Sequence, residues 1–163
     1  MVLADDIAGG WTDRELIEAN RLRQVSQETL KHGWLVVLFW ASERVTPQKM
    51  REEVLSGIYR DLYLARYGEP RTLRQMMSLE GSARAFAGAK EPALDADDLA
   101  YTREIIRPHL DALAFEDFPT VFACLFGDEP ACRVGYPPLG LSNRAGFALA
   151  LQESRQIEDV NVD

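Results

Sequence analysis

Cysteine and histidine are both scarce: Cys124 and Cys132 are the chain's two thiols, and His32 and His109 its two imidazoles. Two cysteines make no disulfide framework, and a reducing cytosol suits such a chain. Two distant histidines with no Cys/His cluster leave a zinc site without ligands, so no metal is expected. A phosphate-cradling Gly-rich loop is missing. Asp95, Asp97 and Asp98 lack the glycine and spaced ligands of a calcium loop. The longest apolar run, residues 34–41, is less than half of the roughly 20 residues a membrane-spanning helix needs. The first six residues show no basic region ahead of an apolar stretch, so no signal peptide is expected. The expected location is the cytoplasm.

Basic charge is also short. Eighteen Lys and Arg face 26 Asp and Glu, a net charge of −8, which argues against nucleic acid and anionic membranes as partners. The excess is uneven: residues 91–163 hold 5 basic and 14 acidic side chains, residues 71–90 hold 4 and 1. Such an acidic surface keeps a protein soluble or meets a basic partner. With 47% hydrophobic and 27% charged residues, the 163-residue chain reads as one globular domain, residues 1–163, with its own core.

The sequence punctuates itself clearly in several places. Thr12 and Glu15 form a capping box with Trp11 as a staple, predicting a helix to about Lys31 with Leu16, Leu22, Val25 and Leu30 inward and Gly33 as its stop. Residues 35–41 are apolar on both alternations, which suits a strand buried on both faces. Thr46 and Pro47 open a second helix that Gly68 and Pro70 close, with Met50, Val54, Ile58, Leu62 and Ala65 lining its inner face. Residues 71–79 suggest a short helix and 83–87 a weak strand. Asp95 caps a further helix that Pro108 kinks. Residues 120–126 read as a buried strand and 131–136 as its hairpin partner across the turn at 127–130. Ser142 caps a last helix carrying Phe147, Leu149 and Leu151 inward, and the tail from Glu158 looks frayed. This order predicts an α/β fold with helices on both faces of a mixed sheet.

Two stretches make the expectation more specific. Val37-Leu38-Phe39-Trp40-Ala41 followed by Pro47-Gln48-Lys49-Met50 resembles the strand and active-site helix of the thioredoxin-like superfamily. Phe118-Pro119-Thr120-Val121-Phe122, then Gly127 and Val134-Gly135, resembles that family's cis-proline loop and closing hairpin. The resemblance implies a thioredoxin-like α/β domain with a central mixed β-sheet flanked by helices. Residues 11–70 would form helix, strand and helix, residues 71–116 an enlarged helical connection, and residues 117–157 the proline loop, hairpin and final helix.

It also implies a lost activity. Thiol–disulfide exchange needs a thiolate and a resolving thiol, and the two matching positions hold Val45 and Gln48, while Leu38 stands where the family has a buried carboxylate. A thiol–disulfide oxidoreductase is therefore not expected. Cys124 and Cys132 fall in the predicted hairpin, where buried free thiols are the ordinary state. The surviving feature is a peptide groove of Glu43, Arg44, Thr46 and Pro47 facing Phe118 and Pro119, on which an extended peptide would pair as an added strand. Tyr59, Tyr63 and Tyr67, four residues apart with Arg60 and Arg66 between, form a second surface candidate through aromatic and cation–π contact. A packed helix edge explains them equally.

The expected function is a cytoplasmic protein- or peptide-binding module, an adaptor or assembly chaperone without cofactor, with a homo-oligomer left open. Two alternatives stand beside it. One is a glutathione-binding, transferase-like enzyme using Thr46 and Arg44 beside the Pro119 loop, and the other is a structural subunit of a larger assembly.

Overall fold

A computed structural model of the chain describes residues 2–7, 13–23 and 35–160. The chain falls into two units, Met1–Glu69 and Pro70–Asp163.

The first unit holds a two-stranded parallel sheet. β1 (Val2–Ala4) pairs with β2 (Leu38–Trp40) in the register Val2↔Leu38, Leu3↔Phe39 and Ala4↔Trp40. Val2 N–H donates to the Val37 carbonyl at 2.9 Å, and Ala41 N–H to the Ala4 carbonyl at 2.8 Å. The expected strand at 35–41 is thus present in its second half, with Phe39 and Trp40 buried. Helix α1 (Arg14–Arg23) starts at Asp13, whose carboxylate accepts the Leu16 N–H at 2.9 Å and so satisfies a donor that has no partner within the helix. The capping role expected of Thr12, the staple by Trp11 and the later part of the predicted first helix lie outside the described residues, as does His32.

Helix α2 (Pro47–Tyr67) forms where the sequence places it. Thr46 Oγ1 accepts the Lys49 N–H at 3.1 Å, Pro47 occupies the first turn, and Gly68, at φ 78°, donates to the Leu64 carbonyl at 2.9 Å. Its facing is the opposite of the expected one. Met50 is 40%, Ile58 39% and Leu62 66% exposed, whereas Ser56 and Leu64 are buried.

The second unit is helical throughout: α3 (Leu73–Phe86), α4 (Ala96–Ile106), a 3-10 turn (Arg107–His109), α5 (Phe118–Phe126), α6 (Asp128–Arg133) and α7 (Ala145–Val160). The helix–strand break expected at 71–87 is one helix, capped by Thr72 with its Oγ1 accepting the Gln75 N–H. Asp95 caps α4 as predicted, with Oδ1 accepting the Asp98 N–H at 2.8 Å, and Pro108 ends the α-helix in the 3-10 turn. Phe147, Leu149 and Leu151 of α7 point into the core as expected.

The core rests on close helix crossings. At Gly81 of α3 an added Cβ would lie 2.2 Å from the Ala150 carbonyl oxygen of α7, and at Gly146 of α7 one would lie 2.3 Å from the Cys124 carbonyl oxygen of α5. Two missing side chains therefore seat α7 against both neighbours, backbone to backbone. Phe122 and Phe126 stack with centroids 4.8 Å apart, and Phe126 meets Phe147 edge-on at 5.1 Å. Glu80, 1% exposed, is ion-paired with Arg84 one turn on. The Arg84 guanidinium lies 4.5 Å and that of Arg144 4.8 Å from the Phe147 ring centroid.

These elements overturn the thioredoxin-like expectation. The chain is predominantly helical, and the one sheet among the described residues has two short parallel strands instead of a central mixed sheet flanked by helices. Residues 120–126 and 131–136, expected as a strand and its hairpin partner, belong to α5 and the α6 segment. Only Thr120 and Val121 of the α5 run are β-branched, Pro119 stands in the first helical turn where its missing N–H costs nothing, and Gly127 stops the helix at φ 88°. Val121 through Phe126 are all buried, and a helix surrounded on every side shows no apolar periodicity. The presumed turn at 127–130 is the start of α6, where the Asp128 carboxylate accepts the backbone N–H groups of Leu139, Gly140 and Leu141 at 2.8–3.1 Å. Pro119 follows a trans bond; the one cis peptide among the described residues is Glu91–Pro92.

The α3–α7 crossing makes a direct prediction. Gly81→Ala drives a methyl into the Ala150 carbonyl and should cost about 1–3 kcal/mol, lowering the midpoint of thermal melting, followed by far-UV circular dichroism, by about 5 °C or more. An unchanged midpoint would show that the two helices part without cost.

Candidate functional site

The carboxyl ends of β1 and β2 lie side by side because the strands are parallel, and in parallel α/β units this end is where ligands collect. Asp6, two residues beyond β1, accepts the Ser42 N–H at 2.8 Å on Oδ1 and the Ser42 hydroxyl at 2.5 Å on Oδ2. Arg14 of α1 pairs with Glu18 at 3.0 Å and with Glu43, and its guanidinium lies 5.5 Å from the Trp40 ring centroid. Glu18 also accepts the Trp40 Nε1–H at 3.1 Å.

The electrostatics follow from these contacts. The hydrogen bond from the Ser42 hydroxyl, against the opposing effect of desolvation, holds the Asp6 carboxyl below its ordinary 3.8. Partial burial acts to lower the Arg14 pKa, but Glu18 and Glu43 outweigh it and the guanidinium is held more firmly protonated. The arrangement is a closed lock. Its acids accept from Ser42, Arg14 and Trp40, and its guanidinium is shared by two carboxylates, so it joins the strand ends to α1.

Of the residues singled out from the sequence, Glu43 joins this lock, Thr46 spends its hydroxyl oxygen capping α2, Pro47 forms the first turn of that helix, and Arg44 is exposed. Phe118 and Pro119 belong to the second unit and open α5. Their assignment as the opposite wall of a groove came from the thioredoxin resemblance, and the loop that defined it is a helix. Tyr63 and Tyr67 rings lie 4.9 Å apart, with the Arg66 guanidinium 5.3 Å from the Tyr67 centroid. Tyr67 is 65% exposed, and desolvation raises the Tyr63 hydroxyl pKa, with Tyr59 and Tyr67 adding to it.

Among the described residues, one apolar surface exposed to solvent is the outer face of α2. Ile58, Leu62 and Ala65 are exposed there, with Val54 and Leu55 half-buried beside them. On a 3.6-residue period these five share one stripe, while Lys49, Glu53, Ser56 and Arg60 gather on the other side. Lys49 and Glu53 pair at 2.9 Å. The helix is amphipathic with its apolar side outward. Covering a Val, Leu or Ile completely is worth roughly 1.5–3 kcal/mol each, a free energy this helix leaves unrealised.

No group of three or more His, Cys, Asp or Glu among the described residues is placed to hold a metal ion. No described helix is long and apolar enough to cross a membrane. Set against known protein families, curated proteins and solved structures, the chain matches none of them.

Sequence reasoning missed Asp6, Ser42, Arg14 and Glu18. The available signal was the short apolar run Val2-Leu3-Ala4 ending in Asp5-Asp6, a strand followed by an acid at its carboxyl end. The α2 stripe was read correctly as apolar and assigned to the wrong side.

Two measurements check this description. Cys132 is exposed, and Cys124 is buried, with desolvation pushing its thiol up to about 12. An aromatic disulfide reagent at pH 8 should therefore titrate one thiol in the native protein and both after denaturation, and two fast thiols would contradict the buried α5. The second concerns Asp6. Its pKa is depressed, so its bond to Ser42 is complete above the ordinary value of 3.8 and is lost as pH falls through the lower, folded pKa. The Ser42 amide proton shift, followed by NMR, should move only below pH 3.8 in the native chain and lose that step in Asp6→Asn.

Proposed function

We propose that this chain is a protein-binding module and that its docking surface is the outward apolar face of α2. The observation that carries the reading is the reversed amphipathicity of that helix: Ile58 and Leu62 stand in solvent while Ser56 is buried. Contiguous exposed apolar surface is a mark of interaction sites, and an apolar stripe at helical spacing is the form in which a helix docks into a partner. The helix is capped at both ends by its own residues, so the stripe exists before a partner arrives. A groove between Thr46 and the Pro119 segment, and the glutathione-dependent chemistry built on it, lack the loop that motivated them. Burial of Cys124, which raises its pKa, also argues against thiol chemistry at that residue.

The test is affinity capture from the cells that make the protein, comparing the native chain with an Ile58→Glu, Leu62→Glu double variant of identical circular dichroism. Both positions are solvent-facing, so the variant should fold. Partners retained by the native chain and reduced at least tenfold with the variant are the expected result. A partner set indifferent to both substitutions sinks the reading.

A further inference from the structure

We draw no further inference here: the strongest candidate, the apolar surface patch on the outward face of α2 around Ile58 and Leu62, is flanked by acids and arginines in near balance, and nothing in the structure shows what covers it.

Discussion

At Gly81 the backbone of α3 lies against the Ala150 carbonyl of α7 with no room for a methyl group between them, and the rest of the helical unit is arranged around that approach. Because the helices are this close, Glu80 on one side of the glycine is sealed from water and must be paired, which Arg84 does from the next turn. Arg84 in turn lies over Phe147, the ring that meets Phe126 of α5. Gly146, beside Phe147, then gives α5 the same backbone access to α7. Removing the side chain at two positions thus dictates the choice of partners at four others. Dense packing of this kind turns a local volume change into a displacement of whole elements.

Where helix ends are written in the sequence, they were legible. Thr46, Pro47 and Gly68 bound α2 and Asp95 starts α4, because caps and stops act through local hydrogen bonds that need no tertiary context. The strand reading of 120–126 failed for the opposite reason. Its residues are buried on every side, so the run carries no period to separate helix from strand. The decisive local cue, proline in the first turn before a glycine stop, was read as a family loop instead. The two stretches that resemble the thioredoxin-like superfamily imply a central sheet, where the second half of the chain holds helices. At the strand ends, Asp6 and Ser42 are thirty-six residues apart, and no local pattern announces a contact of that range.

The facing of α2 shows how little the hydrophobic pattern alone decides. A stripe of Val54, Ile58, Leu62 and Ala65 reads as core in any isolated sequence, since burying it is the largest favourable term available. In this chain the opposite side, with Ser56 and Leu64, is the buried one. Pattern fixes which residues share a face; it does not fix whether the chain itself or another molecule covers that face.

The sheet of the first unit has a kinetic consequence. Its parallel register joins Val2 to Leu38 across a long intervening segment, so closing it costs loop entropy before any ladder bond is gained. The turns within each helix of the second unit need only neighbours close in sequence, whereas the α3–α7 crossing joins Gly81 to Ala150 over a still longer separation. Both long-range contacts form after the local turns, and a ladder of three-residue strands has few bonds to hold it once made. With so few ladder bonds the strand pair is expected to open before the densely packed helical unit does, with the lock of Arg14, Glu18 and Glu43 acting as the latch that slows the strands' release.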